Sequence, residues 1–354
     1  MKIDRIKDIE FFNREKEKEQ IVNILKFNPR LITFIYGPIN SGKTSLIMNL
    51  IEDLPDDYVA FYVNLRGKFI SDYNDFVQSL FEVDRESKNK KRKISEFTKG
   101  FLSSAGRYYG IPIAENLLDG VFKDNEPKNV FEYITEVMNE VKKNKKQPIL
   151  IIDELQVIGD LKIDDYLIYK IFNFFIRLTK ELHLCHVFAL SSDSLFIEKV
   201  YGEAMLQERC KYLLVDEFDK QTTKEFLGKY GITESEGEVV WNHAGGKPGH
   251  LIEIISAKET GKGIESVAKE TIENEKNTLL FMLAKNREKK GEIMKIFKKF
   301  KHEYEIKFDE DVNFEILKFL IKKNILFIDA IKKSIKTQSK TELISIREIL
   351  KEMS

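Results

Sequence analysis

Four residues in two short stretches carry the strongest chemical signal in the chain. Lys43 and Thr44 end the run Gly37-Pro38-Ile39-Asn40-Ser41-Gly42-Lys43-Thr44, and Asp153 and Glu154 end Pro148-Ile149-Leu150-Ile151-Ile152. A lysine ammonium and the backbone amides of a glycine-containing loop attract phosphate oxygens, and a hydroxyl paired with a carboxylate offers hard oxygen ligands to Mg²⁺. Beside such a pair, Glu154 is the group able to polarise an attacking water. The expected nucleotide ligands are Gly37, Pro38, Ile39, Asn40, Ser41, Gly42, Lys43, Thr44 and Ser45, with Thr44 ligating the metal and Asp153 completing the metal site from beyond its direct ligands.

These residues need elements to position them. Leu31 to Tyr36 reads as a buried parallel strand delivering the loop, and Ser45 to Ile51 as the helix that follows it. Further apolar runs at Tyr58 to Asn64, Pro148 to Glu154, Cys185 to Ser192 and Tyr212 to Val215 alternate with helical patterns. This is the rhythm of an α/β fold with a parallel sheet. Ser191, Ser192 and Asp193 end the fourth strand, where they either sense a terminal phosphate or cap the next helix. Arg209 precedes the fifth strand and either approaches the transferring phosphate or pairs with a surface acid.

Composition narrows the class. The 354 residues hold 58 basic and 58 acidic side chains, so nucleic-acid binding by overall charge is excluded, and the length suits two or more domains. No apolar run approaches the roughly 20 residues that cross a bilayer. Met1-Lys2-Ile3-Asp4-Arg5 opens on charges with no signal-peptide core behind it, so a cytoplasmic location is expected. Cys185 and Cys210 lack metal-ligand spacing and read as buried thiols. His183 and His186, three apart at a strand, point to opposite faces.

Residues 68–146 form an unusually long connection, read as a helical insertion with a helix from about Asn129 to Lys143 and a solvated basic loop at Lys88 to Lys93. Residues 221–275 read as a small helical module interrupted by Trp241 to His250, following a nucleotide-binding domain at 1–220. In 276–354, helices around Ile293 and Phe314 precede strands at Ile325 to Ile328 and Glu342 to Ser345, on either side of a polar hairpin from Lys332 to Lys340. That order suggests a winged helix-turn-helix. Residues 281–354 contain 18 basic against 12 acidic residues, which permits contact with DNA.

Phe12-Asn13-Arg14-Glu15, the 37–44 loop, Ile149 to Glu154, Leu190-Ser191-Ser192, Arg209 and Gly245-Gly246-Lys247-Pro248 together resemble the archaeal ATPase family. That family lies in the STAND branch of P-loop NTPases and is related to AAA+ proteins. The resemblance covers residues 1 to about 275, and a winged-helix tail is typical of the same family. It implies ATP or ADP with Mg²⁺, a five-stranded core ordered 5-1-4-3-2, a helical module, and a switch between ADP-closed and ATP-open states. It also implies that Asn13, Arg14 and Glu15 contact the adenine side and that Gly246, Lys247 and Pro248 close over the base. Lys43, Glu154, Ser192 and Arg209 are the candidate catalytic residues. The segment from Gly245 to Leu251 lacks the arginine that replication-initiator AAA+ proteins place in their second sensor, which argues against ring catalysis. The expected function is slow Mg²⁺-dependent ATP hydrolysis that switches exposure of the C-terminal domain, whose partner is DNA or protein and not a membrane. The alternative is a DNA-binding regulator whose nucleotide is structural and not hydrolysed.

Overall fold

A computed structural model describes residues 9–84, 106–114, 127–159, 167–309 and 311–353. The first part of the chain comprises α1 (Glu15–Leu25), β1 (Ile32–Tyr36), α2 (Lys43–Glu52), β2 (Tyr58–Asn64), α3 (Tyr73–Leu80), β3 (Phe81–Asp84), β4 (Arg107–Tyr109), β5 (Ile111–Ala114) and α4 (Pro127–Lys143). It continues through β6 (Gln147–Asp153), α5 (Leu167–Ile176), β7 (His186–Ser191), α6 (Ser194–Gly202) and β8 (Cys210–Leu214).

The main sheet is parallel and ordered β4-β2-β6-β7-β1-β8. Every residue of β1 and β7 is buried, because helices cover both faces and leave no polar side to alternate with. Leu46, Ile47, Leu50 and Ile51 form the apolar stripe that seats α2 on one face. Because the strands are parallel, their C-terminal ends share one crest. The 37–44 loop, Asn64, Asp153 and Ser191 all lie along it.

The insertion is not purely helical. Between α3 and α4 it carries three short strands: β4 extends the main sheet at its β2 edge, and β3 pairs with β5 in a separate two-stranded sheet. Runs of three or four residues, with only Gly110 between β4 and β5, are too short to show a period of two. The basic run Lys88 to Lys93 lies outside the described residues.

The helical module contains α7 (Lys220–Lys229), α8 (Glu234–Ala244) and α9 (Pro248–Glu259), with Thr233 and Glu236 forming a reciprocal capping box at α8. The boundary placed at 275/276 falls inside a continuous helix, α10 (Ile264–Lys285). Its Ile264 belongs to the module core, and its Leu279 and Leu283 belong to the C-terminal core. The C-terminal part then has α11 (Lys290–Lys299), β9 (Glu305–Lys307), α12 (Phe314–Lys322), β10 (Leu326–Asp329), β11 (Ser334–Thr337) and α13 (Lys340–Glu352). Its three strands form an antiparallel sheet ordered β10-β11-β9.

Glu342 to Ser345 is therefore helix and not strand, and the second strand of the hairpin is Ser334–Thr337. Ser339 caps the helix by accepting from the Glu342 amide, and Leu343, Ile346, Ile349 and Leu350 repeat at helical spacing into the C-terminal core. Among the described residues, no helix is long and apolar enough to cross a membrane.

Candidate nucleotide site

The loop after β1 is held from below by the segment after β8. The Val215 amide donates to the Tyr36 carbonyl at 2.7 Å, and a Cβ on Gly37 would lie 2.1 Å from the Val215 oxygen. Position 37 therefore admits only glycine. Lys43 opens α2 with its ammonium inside the loop, donating to the Gly37 and Pro38 carbonyls at 3.0 and 2.8 Å. Burial lowers Lys43 to about 8, opposed by the charges of Glu154 and Asp153, so the group is mostly cationic at neutral pH.

Asp153 is buried at the end of β6, and Thr44 Oγ1 donates to its Oδ2 at 2.8 Å. Two hard oxygen ligands thus meet at the N-terminus of α2, a donor set that fits Mg²⁺. Tyr62 from β2 donates to the same Oδ2 at 2.8 Å, and the Glu154 amide donates to Oδ1 at 2.8 Å. Glu154 itself has left-handed backbone (φ 60°). Its Oε1 pairs with Arg66 at 2.5 Å and its Oε2 accepts from Gln156 at 2.5 Å. The same Gln156 nitrogen lies 3.4 Å from Ser192 Oγ, which ties the fourth-strand end to the acid. Asp193 is a helix cap, accepting from the Leu195 and Phe196 amides.

A cavity of about 370 Å³ opens beside Gly42, Thr44 and Ser45. Its walls include Phe11 and Phe12 of the N-terminal segment, Arg14, Phe218 and Phe226, and Pro248 and Ile252 of the module. An apolar chamber adjoining a phosphate loop suits a base and sugar. Ser41 and Pro248 also line it. A Cβ on Gly246 would lie 1.9 Å from the Phe218 carbonyl, so this glycine lets the module close against that segment.

Several expected roles change. Arg14 borders the cavity, but its guanidinium is committed: it donates to the Ser41 and Asp216 carbonyls, both at 2.6 Å, pairs with Glu17 and lies over the Phe218 ring. It ties the N-terminal segment to the loop. Asn13 does not line the cavity; its amide reaches Thr222 and its Oδ1 accepts from the Arg14 amide. Glu15 is exposed in the first turn of α1, also away from the cavity. Lys247 is buried toward Glu342, at 3.9 Å. Arg209 stands at the wrong end of the sheet. The register pairs Ile32 with Cys210 and Tyr36 with Leu214, so Arg209 is level with the start of β1, roughly 15 Å of strand from the loop, and it donates to the Met205 carbonyl.

Sequence reasoning missed Tyr62, Arg66, Gln156 and the C-terminal Gln338. Gln156 had a local signal, two residues beyond Glu154. Gln338 had none: its Oε1 accepts from the Ile39 amide of the loop at 3.2 Å, across 299 positions.

A family described as an ATPase domain predominantly from Archaea matches residues 11–254, and a second, the C-terminal domain of MJ1010-like uncharacterized ATP-binding proteins, matches 265–350. An uncharacterized ATP-binding protein of Methanocaldococcus jannaschii, MJ1659, is 47% identical over 360 residues, covering 98% of this chain and 99% of its own. The Walker-type ATPase PABY2304 of Pyrococcus abyssi superposes with a TM-score of 0.66 at 18% identity, over 95% of this chain and 96% of that one. The Aeropyrum pernix ORC2 protein, solved in ADPNP–ADP complexes, gives 0.52 at 10% identity over 99% and 97%. The chain therefore belongs to the ATPase family found predominantly in Archaea.

Proposed function

We propose that the chain is a Mg²⁺-dependent ATPase of the STAND type, in which slow turnover or nucleotide exchange controls docking of the C-terminal part. Bound Mg-ATP supplies the phosphoanhydride to be cleaved and a cation that offsets phosphate charge. The loop amides, the α2 N-terminus and Lys43 hold the phosphates, Thr44 and Asp153 hold the cation, and Glu154 accepts the proton of the attacking water.

The observation that carries the switch reading is the contact of Gln338 with the Ile39 amide. Amides of this loop are phosphate donors, so a side chain engaged with one of them competes with a phosphate-induced rearrangement of the loop. Neighbouring contacts join the same surfaces. Tyr36, the last residue of β1, donates to Asp329 at 3.0 Å, Lys336 pairs with Asp216, and the Ile328 amide donates to Ser194 at the start of α6. The helix α12 beside the β10–β11 hairpin supports a winged-helix reading of this part, with its basic excess offered to DNA or a protein. Duplex binding that weakens with salt would favour DNA.

The test is calorimetric and kinetic. Lys43→Ala is expected to abolish ATP binding, whereas Glu154→Gln retains ATP and loses phosphate release. Equal ATP affinity in wild type and Lys43→Ala would refute the site.

A further inference from the structure

Asp153 receives three hydrogen bonds, and one comes from a residue outside both sequence motifs. Thr44 Oγ1 and the Tyr62 hydroxyl share Oδ2, each at 2.8 Å, while the Glu154 amide takes Oδ1 at 2.8 Å. Asn64, at the end of β2, donates to the Tyr62 oxygen at 3.3 Å. The β2–β6 register sets Asn64 opposite Asp153 and Tyr62 opposite Ile151. Tyr62 therefore starts two residues below the carboxylate on the face it shares with Asn64, and must span roughly 6–7 Å of strand to reach it. A tyrosine has that length, and serine or threonine does not. The ring is buried and meets Tyr109 edge-on at 6.0 Å, so the hydroxyl has little freedom to turn away.

We infer that Tyr62 is a positioning residue for the metal: its hydroxyl, steadied by Asn64, fixes the rotamer of Asp153 that presents Oδ2 beside Thr44. The inference rests on the reading of Thr44 and Asp153 as Mg²⁺ ligands. Without this donor the carboxylate keeps only its bonds to Thr44 and to the neighbouring amide, and it can rotate about χ2. Partners that orient a metal ligand in this way commonly contribute about 10–100-fold in metal affinity.

The experiment titrates Mg²⁺ against binding of a fluorescent ADP analogue to the full-length chain, comparing wild type, Tyr62→Phe and Asn64→Ala, with thermal midpoints recorded alongside. Phenylalanine keeps the ring packing and removes only the donor. In Tyr62→Phe the Mg²⁺ concentration for half-maximal tightening is expected to rise about 10–100-fold, with metal-free ADP affinity unchanged. Asn64→Ala should move the same midpoint in the same direction by less, and it serves as the readout if Tyr62→Phe does not fold. An unchanged Mg²⁺ midpoint with a lowered thermal midpoint would overturn the inference and leave Tyr62 as packing alone, with the metal site intact. Loss of all Mg²⁺ dependence in wild type would instead overturn the metal reading, and this inference with it.

Discussion

Both carboxylate oxygens of Glu154 are engaged, one by Arg66 and one by Gln156. In the proposed reaction Glu154 accepts a proton, and the ion pair with Arg66 holds one acceptor oxygen and restrains the orientation of the acid. Arg66 is mostly exposed, at 63%, and screening limits the pair to about 0.2–1 kcal/mol. Arg66→Gln is accordingly expected to raise kcat by up to about fivefold at saturating ATP, with ATP affinity unchanged. A fall in phosphate release would mean that Arg66 assists the reaction. Residues whose place in the fold is set locally were legible in the sequence. Lys43 and Thr44 follow from loop spacing, and Asp153 from its place at a strand end. Arg14 and Arg209 were not legible, because an arginine reaches far and its target depends on which strand ends lie side by side. Arg209 precedes its strand, which in a parallel sheet puts it at the edge away from the loop.

At the scale of elements, the segment after β8, the N-terminus of α9 and the start of α13 enclose a group of charges. Glu217 has an enclosed Oε1 with no hydrogen-bond partner among the described residues, and Glu342 faces Lys247 at 3.9 Å. Burial raises Glu217 to about 8, reinforced by Asp216 and Glu342 and opposed by Lys247 and Lys336. Burial also raises Glu342 to about 7, reinforced by Glu275 and opposed by Lys247. Both values exceed those of an unfolded glutamate, near about 4.3, so the folded state binds more protons between them. Their stabilising contribution is complete below that value and is lost as pH rises through about 7 to 8. The thermal midpoint should therefore fall between pH 5 and pH 8.5. Glu217→Gln should flatten that slope and raise the midpoint at pH 8 by about 1–2 °C for each kcal/mol recovered. A variant with the wild-type slope would show that these carboxylates do not control the junction. Five of the six main-sheet strands, β1, β2, β6, β7 and β8, could be read in advance because each is a largely apolar run between helices, whereas the three-residue β4, exposed at both ends, could not. The C-terminal hairpin was misread because Ile344 and Ile346 are β-favouring over a short window, whereas the Ser339 cap and the helical spacing of Leu343, Ile346, Ile349 and Leu350 show only over the whole stretch.

For the whole molecule, the 37–44 loop adjoins both the cavity walled by the N-terminal segment and the helical module and, through Ile39, the C-terminal residue Gln338. The continuous helix α10 contributes residues to both the module core and the C-terminal core. The docking of the C-terminal part on the loop was not legible in the sequence, because it rests on isolated polar contacts such as Gln338–Ile39 and Tyr36–Asp329. The central claim is that occupancy of the loop governs this docking. Amide hydrogen exchange on Glu154→Gln, with and without Mg-ATP, tests it most directly. Faster exchange in residues 326–339 on adding Mg-ATP, alongside protection of residues 37–45, is the expected result. Protection of 37–45 with unchanged exchange in 326–339 would contradict the claim.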